Sequence, residues 1–177
     1  MTAVVSTVPG AVAALKARMD TVAAANPALN VSTHVGAIPK SVNNNFLGIG
    51  DIETGDLLAT YVQDIAGVPA YANVRSEQYG IRCVIRTWTG SGGEAGEPAA
   101  RLSEAFGLLD GVNQLLCADL VTGPAADALA AILTPSGSWY LGEVAAPAAG
   151  PLGGGGWGCV LSFTVEVINV RLGAVNP

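Results

Sequence analysis

The chain has 177 residues, of which 50% are apolar and 12% charged, with a formal net charge of −6. That length suits one domain with enough chain to bury a hydrophobic core without disulfides or metals. An acidic chain without a basic cluster is a poor wrapper of nucleic acid, because phosphate binding needs Lys and Arg, and the low charge content instead points to apolar surface covered by other subunits.

Residues Pro9 to Ala25 read as a helix, with Val8, Val12, Leu15, Met19 and Val22 recurring at three- and four-residue steps. Thr7 is placed to cap its first turn, and Pro27 stops it. Lys16, Arg18 and Asp20 interrupt what would otherwise pass for the apolar part of an export signal. No segment reaches the ~20 uninterrupted apolar residues of a membrane span. A short strand is expected at Leu29 to Val35. The stretch from 36 to 71 reads as an extended loop insertion carrying the asparagine run Asn43 to Asn45 and a short strand at Phe46 to Ile49. Leu57 to Ala66 fits a short helix or a strand.

Val74 to Thr89 is the clearest strand. Alternation puts Tyr79, Ile81, Cys83 and Ile85 on one face, and Arg82, Val84, Arg86 and Trp88 on the other. A glycine-rich acidic loop with Glu94 and Glu97 follows. Ala99 to Leu120 then reads as a helix whose stripe is Leu102, Phe106, Leu109, Val112 and Leu116, widened by Ala105, Leu108 and Leu115. Gly107 and Gly111 flank that stripe, where a close backbone contact would offset the ~1 kcal/mol each glycine costs a helix. Ala125 to Leu133 suggests a further short helix. Trp139 to Ala146 and Gly158 to Leu172 read as two strands of a long C-terminal hairpin, joined by a flexible arm at 147–156 and followed by a fraying tail at 173–177. Along the last strand Cys159, Leu161, Phe163, Val165 and Val167 share a face. The predicted fold is α+β: a mixed, largely antiparallel sheet packed by the N-terminal and central helices.

Few residues carry chemistry. His34 is the sole histidine and lies in a short strand, where a hydrogen-bonded strand residue is the better reading than a catalytic dyad. Ser91 has Thr89 where a nucleophile elbow needs glycine. Gly153, Gly155 and Gly158 match G-x-G-x-x-G but open a strand, so the helix N-terminus that would face a pyrophosphate is missing. Asp51, Glu53 and Asp56 lack calcium-loop spacing. Cys83, Cys117 and Cys159 are more than thirty residues apart, lack zinc or redox spacing, and read as small core residues suited to a reducing compartment. An enzyme is therefore the least favoured class.

Three segments in order carry a family resemblance: the strand RSEQYGIRCVIRTWTG from Arg75, the helix from Arg101 through Glu104, Ala105, Phe106 and Leu109 to Leu116, and the closing strand GWGCVLSFTVEV from Gly156. Together they resemble the tail terminator family of long-tailed bacteriophages, in outline over 8–172 and sharply in 75–116 and 156–171. The stretch 36–71 is longer than the family's minimal form. The resemblance implies a structural virion protein, assembled in the host cytoplasm, whose subunits form a ring of about six. That ring would cap the completed tail tube and join it to the head connector. It implies no cofactor, and the tube and connector proteins as partners. DNA would pass through the channel without specific binding. Six copies at −6 each carry −36, and a channel lined by part of that charge would repel DNA rather than trap it. Candidate contact residues are Arg82, Arg86, Trp88, Glu94, Glu97, Trp139 and Trp157, the two last flanking the 147–156 arm. Alternatives are another phage neck or tail component, such as a head-completion or tail tube protein, and a dimeric small-ligand-binding domain.

Overall fold

The computed structural model describes residues 6–37, 44–65, 75–89, 97–121, 123–134, 137–152 and 156–172. Among these residues the elements in chain order are α1 (Val8–Ala25), a 3-10 turn (Pro27–Leu29), β1 (Ser32–Val35), β2 (Phe46–Ile49), β3 (Leu58–Ile65) and β4 (Arg75–Trp88). They continue with α2 (Glu97–Ala118), α3 (Pro124–Leu133), β5 (Ser138–Val144), β6 (Ala148–Leu152) and β7 (Gly156–Leu172). The fold is α+β with a mixed sheet, as the sequence predicted.

The long antiparallel pair β4–β7 is the spine of the sheet, running from Arg75 opposite Leu172 to Trp88 opposite Gly158. Two short strands lie end to end along the outer side of β4, with β2 opposite Cys83–Arg86 and β3 opposite Arg75–Ile81. Along the outer side of β7, β5 and β6 do the same. The only parallel pairing described is β1 on β2. Leu57 to Ala66, open between helix and strand in the sequence, is thus a strand as far as Ile65, fixed by its pairing with β4.

The alternation of β4 and β7 produces the core. Tyr79, Ile81, Cys83 and Ile85 are buried on the helix-covered face, together with Cys159, Leu161, Phe163, Val165 and Val167. After Val167 the buried phase of β7 moves to Val170 and Leu172. A register shift opposite Glu77/Tyr79 inserts one residue there, and Asn169 takes a left-handed φ of 60°. Asparagine is among the residues that tolerate this conformation, and a bulge of this kind bends the strand.

All three helices described cover this face. α1 buries Val12, Leu15, Met19 and Val22, the stripe its spacing predicted. A Cβ on Gly111 would stand 3.1 Å from Val22 Cγ1, so that glycine lets α1 approach α2, whereas nothing lies within 4 Å of the same point on Gly107. Phe106 is 42% exposed and does not belong to the α2 stripe; the buried line runs Ala105, Leu108, Leu109, Val112 and Leu116. Cys117 is exposed rather than core, while burial pushes the Cys83 and Cys159 thiols up in pKa.

Three further expectations are corrected. Thr7 has helical backbone angles and makes no capping hydrogen bond; its hydroxyl and N–H are taken by Glu77 instead. Of the stretch 147–156, Ala148–Leu152 is strand, paired with β7 from Ala148↔Val160 to Leu152↔Gly156, while 153–155 lie outside the described residues. The strand's small residues do not hinder the ladder, so the hairpin continues past a register shift between Leu141 and Val144 as far as Leu152 opposite Gly156. The described part of the 36–71 stretch includes β2, β3 and the buried Asn45, so that part belongs to the sheet rather than to a loop leaving it, while 38–43 and 66–71 lie outside the described residues. Asn45 Nδ2 donates to Leu29 O at 2.5 Å, and Asn45 Oδ1 accepts from Trp88 N at 2.6 Å. It clips the 3-10 turn to the end of β4. Asn45→Ala leaves both backbone groups short of a partner and is expected to cost about 1–3 kcal/mol, read from urea unfolding midpoints.

Candidate assembly surface

Among the described residues no helix lies on the face of the sheet opposite α1, α2 and α3. Strand alternation brings Arg82, Val84, Arg86 and Trp88 of β4 to this face, as predicted, beside Val160, Ser162, Thr164 and Glu166 of β7. Two zones result. Near the C-terminal end of β4, Phe46 and Val84 are buried under Ile52 and Val160 in a small second apolar cluster. Arg86 is 9% exposed here, and burial lowers its pKa. A Cβ on Gly156 would stand 2.5 Å from Trp88 Nε1 and 2.1 Å from Thr89 O, so only glycine lets the hairpin reach this end of β4.

The second zone is a shallow cavity of about 330 Å³ lined by Asp51, Arg82, Glu143, Ser162 and Thr164 among others. Arg82 Nη1 lies 3.6 Å from Asp51 Oδ2, and Arg82 Nε donates to Leu58 O at 3.1 Å. Backbone N–H groups of Thr54 and Glu53 donate to Asp51 Oδ1 at 2.9 and 2.8 Å. These bonds, and secondarily the Arg82 charge, hold the Asp51 carboxyl below the usual carboxylate range against the opposing effect of burial. Glu166 lies between two strands that carry glycine. A Cβ on Gly80 would stand 2.8 Å from Glu166 Oε1, and one on Gly142 2.6 Å from Glu166 Cγ. The glycines thus leave a trough that the glutamate fills.

The remaining candidates are scattered. Trp139 is corrected outright: it is 0% exposed, beneath the helices, with the Arg18 guanidinium 5.1 Å above its ring. It is a core residue and unavailable as a contact. Trp157 is half-buried at the start of β7, where its carbonyl accepts from Thr89 N at 2.9 Å. Glu94 lies outside the described residues; Glu97 opens α2, with its side chain outside them too. His34 meets Ser32 Oγ at 3.0 Å and stacks edge-on against Phe46. Asp51 is committed to its own turn, and among the described residues no group of three or more His, Cys, Asp or Glu is placed to hold a metal ion.

Sequence reasoning missed Glu77. It stands on the core-facing phase of β4 yet is a carboxylate with 0% exposure. Ser6 Oγ, Thr7 N, Thr7 Oγ1 and Tyr61 OH all donate to it. With the Thr7 hydroxyl proton committed to Glu77, the Tyr79 hydroxyl 2.9 Å away donates to Thr7 Oγ1, and burial pushes the Tyr79 pKa up to about 12. The available signal was a charged residue falling in phase with Tyr79, Ile81 and Cys83.

These features define an α+β domain with one face sealed by helices and the other, among the described residues, free of helices and carrying both a small apolar cluster and a polar zone. Compared with known proteins, the chain matches no family model and no curated protein. Among the described residues no helix is long and apolar enough to cross a membrane.

Proposed function

We propose that the protein is a structural component of a bacteriophage virion, a tail terminator whose subunits form a ring, of about six, that caps the finished tail tube and joins it to the head connector. The observation that carries this reading is the two-sided sheet. Helices seal one face, while among the described residues none covers the face bearing Arg82, Thr164 and Glu166. A sheet open on one side, in a chain with little charge, suits a subunit completed by its neighbours. Light scattering with negative-stain imaging tests it. The expected result is a ring of about six copies, either alone or on purified tail tubes. A chain that stays monomeric and ignores tubes counts against it.

The 330 Å³ cavity favours a second reading, a small-ligand-binding domain, since Arg82, Asp51, Ser162 and Thr164 converge on it. Saturable binding of a small polar compound, lost in Arg82→Ala while the chain remains a monomer or dimer, would favour that reading over the ring.

A further inference from the structure

Eight large apolar side chains are exposed among the described residues, and five of them sit on strands that end the sheet. Val35 is on β1, Tyr61 and Val62 on β3, Tyr140 and Val144 on β5. Among the described residues each of these strands is paired on one side only. The opposite side of such a strand presents a row of backbone N–H and C=O groups, which a further strand can take up. Apolar side chains beside an unpaired ladder are the ones that an added strand would cover.

Each margin is guarded along only part of its length. Edge strands in monomers are blunted by Lys, by Pro or by bulges. On the far margin β6 carries Pro151, and β5 has a register shift between Leu141 and Val144. On the near margin β3 has a register shift of its own between Leu58 and Thr60, but from Thr60 to Ile65 it pairs with β4 in unbroken register, in a run, TYVQDI, whose one charged residue is Asp64 and which holds neither Lys nor Pro. Val62 is 59% exposed in the middle of it.

We infer that the outer edge of β3 is a docking edge for a second copy of this chain, taken up by the regular Ser138–Leu141 part of β5, so that the sheet continues from subunit to subunit. The occupant follows from the two margins. A strand edge is complementary to another strand edge, and each copy carries one at each end of the same sheet. A contact between two different edges is heterologous and repeats until it closes, which is the geometry a ring needs. The inference rests on the ring reading and specifies which surfaces make the ring.

The test uses the full chain with Val62→Lys, Tyr140→Lys and Phe106→Lys. All three side chains are exposed, so each variant is expected to keep the wild-type circular dichroism and melting transition. Val62→Lys and Tyr140→Lys are each expected to raise the concentration for half-assembly at least about tenfold, with Phe106→Lys assembling as wild type. An equimolar mixture of Val62→Lys and Tyr140→Lys is expected to stop at dimers of one copy of each, because only one intact pair of edges remains. Rings that form equally well in Val62→Lys and Tyr140→Lys overturn the inference and leave the ring reading standing. Loss of assembly in Val62→Lys alone overturns it in favour of a two-fold β3–β3 contact. A wild-type chain that is monomeric with and without tail tubes removes both.

Discussion

Replacing Trp139 with alanine is expected to lower the unfolding free energy by about 3–5 kcal/mol, the cost of emptying a large buried aromatic site. Trp139 is among the largest side chains with no exposure, and it stands on β5 opposite Val167 of β7. Its ring also carries Arg18, whose Nε and Nη2 bind Asp119 at 2.9 and 3.0 Å and whose Nη1 reaches Ala14 O at 3.3 Å. One side chain therefore joins the hairpin to α1 and to the end of α2. Removing it leaves a cavity and takes away the aromatic face under a guanidinium, worth a further ~1 kcal/mol. Trp139→Phe separates the contributions. Among the described residues the buried indole N–H has no hydrogen-bond partner, so phenylalanine loses none of the bonds they make and is expected to cost about 1–2 kcal/mol. Urea unfolding of the two variants checks this. An alanine variant within about 1 kcal/mol of wild type would show that the site collapses and that Trp139 does not hold the hairpin in place. Since domains of this size are stable by only about 5–15 kcal/mol, the alanine variant is expected to be partly unfolded at physiological temperature.

The same residue shows where sequence reasoning ends. Two tryptophans flanking a loop of Ala, Pro and Gly look alike in sequence, yet Trp139 is core and Trp157 is half-buried at a strand start. Their difference arises from α2 and α3 packing on β5 and from Arg18 of α1 reaching over the Trp139 ring, a contact more than a hundred residues distant. What was legible is what depends on local period: the α1 stripe, the two faces of β4, the core face of β7 as far as Val167. The stripe of α2 was read one position too wide at Phe106, because helical spacing alone does not say where the covered arc stops. Chain segments of low complexity misled in the other direction. Within the 147–156 stretch, Ala148–Leu152 has the composition of a loop but is held as a strand by the ladder on β7, whose backbone bonds do not depend on side chains. Likewise Asn45 reads as one of three asparagines in a polar run, and only the fold shows its amide bridging Leu29 and Trp88. Of the candidate surface, strand alternation correctly placed Arg82, Arg86 and Trp88 on one face. The depth at which Arg86 is buried came from Phe46 and Val160, the β2 and β7 residues paired with it.

Acid is expected to weaken the fold through Glu77, and Glu77→Gln is expected to remove part of that sensitivity. Burial alone would raise the Glu77 pKa, but the hydrogen bonds from Ser6, Thr7 and Tyr61 outweigh it and hold the carboxyl below its ordinary value. A carboxyl lowered on folding binds fewer protons in the folded chain than in the unfolded one. Its stabilisation is therefore complete above the unfolded pKa, about 4.3, and is lost as the pH falls through the lower folded value. Asp20 and Asp51 are lowered too and add to the same slope from more exposed positions. In Glu77→Gln the amide keeps one acceptor oxygen and turns an NH2 group toward the remaining donors. At least one buried donor is then left without a partner, at about 1–3 kcal/mol near pH 7. The gap between wild type and Glu77→Gln should shrink as the pH is taken from 7 to below 4, since protonated Glu77 loses the same acceptor. Parallel stability curves for the two proteins, measured by urea unfolding across that range, would show that Glu77 does not titrate on unfolding. The consequence reaches beyond stability. Glu77 binds both the start of α1, through Ser6 and Thr7, and the exposed strand β3, through Tyr61. Losing it frees the strand edge assigned above to the neighbouring copy, so assembly is expected to fail at a milder acidity than folding does.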